Sequence, residues 1–213
     1  MKAHNLKVER TARYLTHGPL DERARTVWFV FHGYGQLAHD FLEELRPAFT
    51  QDDVLIVAPE ALSRFYLRGT QGNVGSSWMT KHEREHEIAD YLAYLNTLAS
   101  VVANATADGC RWNVLGFSQG TATASRWAVQ ASPQPAQIVL WGGGFPPELQ
   151  LGQIWASSDQ PRIDLVVGSK DPYITKEHVT TEVKRLQNSG LSCTVKTYDG
   201  GHHIDSDLLT TLL

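Results

Sequence analysis

The sequence predicts an α/β fold, a mainly parallel sheet with helices packed on both faces. Apolar, β-prone runs at 26–31, 54–58, 112–117, 138–141, 163–167 and 194–198 mostly lack the polar alternation of a half-solvated strand, as strands covered on both faces do. Segments with apolar residues at helical spacing lie between most of them, and strands alternating with helices build parallel sheets. The third feature is positional: the chemically versatile residues fall just after strands, where such sheets hold their ligands. A chain of 213 residues fits one such domain, 1–213, and can bury a substantial core.

Taken in order, residues 6–16 have mixed β character and are expected to form a peripheral antiparallel strand, closed by the turn signal Gly18-Pro19. The run at 26–31 ends in His32-Gly33-Tyr34-Gly35, and a helix from about Asp40 carries Phe41, Leu42, Leu45 and Phe49 on one face. The strand at 54–58 is closed by Pro59. Residues 60–80, with Gly69, Gly72 and Gly75 among Arg64, Phe65, Tyr66, Arg68 and Trp78, have no periodicity and are expected to be a long functional loop. A helix over about 82–104 follows, with Ile88, Tyr91, Leu92, Leu95, Leu98 and Val102 on its apolar stripe. Further helices are expected from Ser118 to about Ala131, over 175–189 up to Gly190, and in a short piece at the end.

Charge and cysteine usage exclude several classes of function. A net charge of -4 without any run of Lys and Arg gives no footprint for nucleic acid or an anionic membrane. No apolar stretch approaches transmembrane length, and the start of the chain is polar, without a signal-peptide core. Cys110 and Cys193 are isolated and make no disulfide framework, so a reduced, cytoplasmic protein is expected.

The central run leads into Gly116-Phe117-Ser118-Gln119-Gly120, a G-x-S-x-G pentapeptide. Chance produces the pattern in roughly one unrelated chain of this length in fourteen, so its context decides. Strand before and helix after make a turn so tight that the serine is strained and its hydroxyl stands clear of the sheet. A serine hydroxyl needs a base to take its proton, and the base needs a carboxylate to fix its tautomer. Asp171 follows the strand at 163–167 in a turn set by Gly168 and Pro172, and His202 follows the last strand after Gly200-Gly201. Asp164 and Asp199 are worse placed; His203 competes with His202, which is preferred. The order Ser118, Asp171, His202 is the Ser…Asp…His order of α/β-hydrolases. The N–H groups of Tyr34 and Gln119 are the expected oxyanion donors.

Together, His32-Gly33-Tyr34-Gly35, the Ser118 pentapeptide, Gly168-Ser169-Lys170-Asp171-Pro172 and Gly201-His202-His203-Ile204 resemble the blocks of the carboxylesterase/phospholipase/acyl-protein-thioesterase group of α/β-hydrolases. The resemblance spans nearly the whole chain and implies an α/β-hydrolase fold with no cap domain. It implies Ser118 as nucleophile, Asp171 as orienter, and His202 as base because it follows Gly directly and precedes Ile by two. It also implies Tyr34 and Gln119 as the oxyanion hole and Trp78 as a residue near the substrate pocket. Loop 60–80 is where the chain departs from better-known members of the group.

A competing pattern is His82-Glu83-Arg84-Glu85-His86, which matches the zinc-hydrolase signature H-E-x-x-H. On a helix its histidines would lie opposite Ile88, Tyr91, Leu92 and Leu95, facing solvent, and no third-ligand pattern follows. A solvated helix start is therefore preferred. A binding protein built on the same fold would be expected to lack a triad member, and none is missing here. The expected function is serine esterase chemistry on a small-molecule ester or thioester, needing no metal or organic cofactor. Phe65 and Tyr66 are expected to join Trp78 along the substrate pocket, and Arg64 and Arg68 could meet an anionic group on the substrate.

Overall fold

The computed structural model describes residues 1–153, 155 and 160–213. Its elements in chain order are β1 (Tyr14–His17), β2 (Thr26–Phe31), α1 (Ala38–Leu45), β3 (Val54–Pro59), β4 (Ser63–Tyr66), β5 (Val74–Ser77), α2 (Arg84–Ala105), β6 (Arg111–Phe117), α3 (Gln119–Ala128), β7 (Gln137–Trp141), β8 (Arg162–Gly168), α4 (Lys176–Asn188), β9 (Thr194–Tyr198) and α5 (Ser206–Thr210). Seven strands form one sheet in the order β1-β3-β2-β6-β7-β8-β9. Only β1 is antiparallel, pairing Tyr14 with Pro59 and His17 with Ile56.

The apolar runs dictate this arrangement. In β2, Val27, Phe29 and Phe31 enter the core with α2 and α3, while Trp28 and Val30 enter the opposite core with α1 and α5. A strand buried on both sides must be apolar at every position, which is why these runs do not alternate. On the α2 side Phe29 lies 5.2 Å from Trp112 and 4.6 Å from Trp127, centroid to centroid. Burying one such aromatic ring stabilises the fold by about 2–3 kcal/mol.

The structure differs from the sequence expectations in several places. The peripheral strand starts at Tyr14, and the residues before it belong to no helix or strand and are mostly exposed. Residues 60–80 are not a structureless loop: β4 and β5 pair as an antiparallel hairpin, with Phe65 opposite Gly75. Val74-Gly75-Ser76-Ser77 has too little apolar side chain to announce a strand; backbone pairing and burial of Ser76 and Ser77 make it one. The helix after Ser118 ends at Ala128, three residues short of the expectation.

Asp164, inside β8, is fully buried and bound by Arg162 Nε at 2.8 Å and Gln137 Nε2 at 2.9 Å. Asp199 is exposed and paired with Lys170. Both are occupied in surroundings of their own, as their positions in the sequence suggested. Cys110 and Cys193 are free thiols.

Candidate active site

The site assembles at the carboxyl ends of β2, β6, β8 and β9. Strand β6 delivers Ser118 and α3 leads away from it, leaving Ser118 at φ 53 and ψ -118. A positive φ at a non-glycine residue costs about 1–3 kcal/mol and persists only where surrounding packing enforces it. The crossing allows no side chain at its flanks. A Cβ at Gly116 would meet Gly120 O at 2.5 Å, and one at Gly120 would meet Phe31 O at 2.1 Å. The Ser118 N–H donates to Trp141 O at 2.9 Å, anchoring the corner to β7.

Asp171, His202 and Ser118 form one hydrogen-bonded chain. His202 Nδ1 lies 2.6 Å from Asp171 Oδ2, and His202 Nε2 lies 2.8 Å from Ser118 Oγ. Asp171 Oδ1 accepts the N–H groups of Tyr173 at 2.8 Å and Ile174 at 3.0 Å, which fixes the carboxylate plane. Burial raises the Asp171 pKa, but the hydrogen bonds from His202, Tyr173 and Ile174 outweigh it and hold the group below its usual range. The imidazole lies among Phe117, at 5.0 Å, Tyr173, at 4.8 Å, and the backbone of Gly142. A Cβ at Gly142 would stand 2.8 Å from His202 Cε1, and Gly142 has φ 63, so only glycine suits both the contact and the backbone. The ring of His203 turns away and packs edge-on against Tyr198, while its carbonyl accepts Trp141 Nε1–H at 2.9 Å.

Such a chain can pass a proton. A neutral imidazole whose Nδ1–H points at a carboxylate presents its Nε2 lone pair to the hydroxyl. Gln119, as the first residue of α3, has an N–H with no acceptor within the helix. Tyr34 occupies the second position of a turn closed by the Gln36 N–H on Gly33 O at 3.3 Å, so its N–H is not used by that turn. These are the two expected oxyanion donors.

The remaining expected site residues fall differently. The ring of Phe65 packs 5.2 Å from that of Tyr34, at the edge of the site. Tyr66 is half exposed, the next residue along the hairpin and so on its other face. Trp78 is a correction. It is 2% exposed, donates Nε1–H to His32 O at 2.9 Å and stacks on the His32 ring, so no face is left for a substrate. Arg64 is bound to the buried Glu60 at 2.7 Å, which uses its charge locally; Arg68 lies exposed in the hairpin turn. Helix α2 begins at Arg84, with Glu83 in a left-handed conformation at φ 50. His82 therefore stands before the helix, and His82 and His86 are not stacked one helical turn apart. Among the described residues, no three His, Cys, Asp or Glu side chains are grouped to hold a metal ion.

Several supporting residues carry no sequence signal of their own. The Gln119 side chain accepts Trp78 N–H at 3.0 Å and donates to Met79 O at 2.8 Å, tying the serine corner to the segment after β5. The loop after β7 is held at two points. Glu148 binds buried Arg126 at 2.7 Å and Arg84 at 2.7 Å, and Arg185 donates to the carbonyls of Phe145, Pro146 and Leu149. Burial raises the Glu148 pKa, but a backbone N–H and the two arginines more than offset it and bring the pKa down to about 2.

His32 is fully buried. Its Nδ1–H donates to Gly33 O at 2.8 Å and its Nε2 accepts Ala61 N–H at 3.1 Å, the pairing of a neutral ring. Burial lowers its pKa to about 4. The unfolded chain thus takes up this proton first as pH falls below 6.5, and the folded chain only near pH 4. The linked stability is complete at neutral pH and diminishes as pH falls from 6.5 towards 4, by up to about 3 kcal/mol. We expect the His32 ring resonances in NMR to stay in the neutral form from pH 8 to 5; a midpoint near 6.5 would contradict the buried, neutral assignment.

A mainly parallel sheet with a serine at positive φ on a strand-to-helix corner, and Asp and His supplied by later strand ends, defines the α/β-hydrolase class. The chain belongs to the phospholipase/carboxylesterase family, whose pattern matches residues 16–213. Ester hydrolysis is the chemistry that this membership supports. Three solved structures illustrate the likeness of fold. Esterase PE8 has a TM-score of 0.71 at 22% identity over 95% of this chain and 96% of its own. Acyl-protein thioesterase 2 of Zea mays has 0.68 at 17%, over 95% and 98%. A phospholipase/carboxylesterase of Dyadobacter fermentans has 0.68 at 21%, over 98% and 97%. No curated protein matches the chain by sequence. No described helix is long and apolar enough to cross a membrane.

Proposed function

We propose that this protein is a serine hydrolase that cleaves carboxylic esters, and thioesters, through a covalent acyl-enzyme. The observation that carries the proposal is the unbroken contact from Asp171 through His202 to Ser118 Oγ, at 2.6 and 2.8 Å. In the first step Ser118 Oγ attacks the carbonyl carbon while His202 Nε2 takes the hydroxyl proton. The oxyanion is held by the N–H groups of Tyr34 and Gln119. Collapse expels the alcohol or thiol, which receives the proton from His202. Water, deprotonated by His202, then attacks the acyl-enzyme; its collapse returns Ser118 and releases the acid. The carboxylate of Asp171 stabilises the imidazolium formed in each half.

The exposed ring of Tyr34 with Phe65 on one side and exposed Tyr173 on the other favour an ester with an apolar portion. The thioesterase named among the structural neighbours makes thioesters a natural member of the test set. We place the protein in the cytoplasm, acting as one α/β-hydrolase domain.

The test combines a fluorophosphonate probe, a chelator and a panel of acyl esters and thioesters. The expected result is stoichiometric labelling that is lost in Ser118→Ala, with turnover indifferent to chelator. Turnover that disappears with chelator and ignores the probe would replace this mechanism with one based on His82, Glu83 and His86. A protein inert to both probe and panel would be a binding protein.

A further inference from the structure

The turn that bears the Tyr34 N–H is fastened by a side chain outside the Ser-His-Asp chain. Gln36 Oε1 accepts the Gly33 N–H at 2.7 Å, and the Gln36 N–H returns to Gly33 O at 3.3 Å. The backbone carbonyl of Gln36 accepts both the N–H of Ser76, at 3.2 Å, and its hydroxyl, at 2.9 Å. Gly35 N–H donates to Ser76 O at 2.9 Å, so the turn is clipped to β5 from two sides. Gly35 has φ 79, which makes the turn type II, with Tyr34 at its second position. The same turn abuts the nucleophile: a Cβ at Gly33 would lie 3.0 Å from Gln36 Oε1 and 3.2 Å from Ser118 Cβ.

This geometry separates two neighbouring donors. Gly33 N–H and Tyr34 N–H are successive amides beside Ser118, and a free peptide could turn either toward a developing oxyanion. Gln36 occupies the first and leaves the second. We propose that Gln36 is a positioning residue for the oxyanion hole. Its side-chain carbonyl holds the peptide planes of the turn so that the Tyr34 N–H is aimed before substrate arrives. The inference rests on the proposed hydrolase mechanism. A donor fixed in advance needs no reorganisation as charge develops, so its loss weakens binding of the transition state more than binding of the ester.

The experiment compares wild type, Gln36→Met and Ser76→Ala. Methionine keeps the length and bulk of glutamine but cannot hold the Gly33 N–H, whereas Ser76→Ala removes one of two donors to the Gln36 carbonyl. Active sites are titrated with fluorophosphonate, so rates are quoted per reactive Ser118. For Gln36→Met the expected fall in kcat is about 10- to 100-fold with KM within twofold. Inhibition by a trifluoromethyl ketone, whose adduct carries the oxyanion, should weaken by the same factor as kcat/KM. Ser76→Ala should lose only a few-fold in kcat, again with KM held. Overturning results are a Gln36→Met enzyme of unchanged kcat per titrated site, or one whose loss lies in KM. A ketone affinity that stays constant while kcat falls would overturn the inference as well. Wild type that takes no probe and turns over no ester would instead defeat the hydrolase mechanism itself, and the inference with it.

Discussion

Ser118→Ala is expected to lower kcat on a good ester by on the order of 10⁴- to 10⁶-fold while KM changes little. In the proposed mechanism this hydroxyl forms the acyl bond, and its proton goes to His202 Nε2, 2.8 Å away. His202→Ala should be as severe, since Ser118 Oγ then loses the acceptor 2.8 Å away. His203→Ala should keep most activity, because its ring packs on Tyr198 rather than on the serine. Steady-state kinetics on purified, folded variants decide the matter. Comparable losses at His202 and His203, or a Ser118→Ala enzyme with a tenth of wild-type kcat, would defeat the assignment.

Asp171→Asn should cost about 10⁴-fold in kcat with the fold intact. The reason is geometric. Oδ1 of Asp171 receives two backbone N–H groups, from Tyr173 and Ile174, so an asparagine keeps its carbonyl oxygen there. Its NH₂ must then occupy the Oδ2 position, 2.6 Å from His202 Nδ1 in the native pair. An N–H facing Nδ1 forces the proton onto Nε2, where it points at Ser118 Oγ, and the base is blocked. Asp171→Ala removes the same support without enforcing the wrong tautomer and should be less damaging. Equal kcat values for the two variants would show that tautomer control is not what Asp171 supplies. The depressed Asp171 pKa adds a stability signature. The carboxylate contributes fully above its unfolded pKa near 3.8, and the contribution is lost as pH falls through the lower folded value. Acid unfolding of Asp171→Asn should therefore be less steep at the acid end than that of wild type.

The sheet was legible because hydrophobic burial writes directly into composition. A strand such as β3, buried on both faces, must read Val54-Leu55-Ile56-Val57-Ala58 whatever its neighbours are. The Ser118 corner was legible for a steric reason, since only glycine fits where Gly116 and Gly120 cross. Asp171 and His202 were found through chain order and turn residues, and through likeness to a family whose blocks they match. The hairpin of β4 and β5 was missed because its second strand is held by main-chain pairing, which glycine and serine permit without advertising it. Trp78 is expected near the substrate through the family resemblance, and an aromatic residue beside a glycine-rich loop looks the same in sequence whether it faces a cavity or the core. Only packing against His32 and Tyr91 decided for the core.

From the sequence alone came the α/β class, the order of the strands of the main sheet and of the helices between them, and the expectation that Ser118, Asp171 and His202 meet. The class, the elements and the Ser118 corner follow from short-range rules, namely periodicity, steric limits at glycine and the chemistry each residue type can perform, while Asp171 and His202 also needed chain order and likeness to a family. What the tertiary structure decided was which hydrogen bonds those groups make and what restrains them. His202 Nε2 on Ser118 Oγ, the Gln119 side chain on the Trp78 N–H, Glu148 between Arg84 and Arg126: each depends on residues distant along the chain arriving within 3 Å of one another. Such directional contacts are short in space and long in sequence, so no local pattern records them.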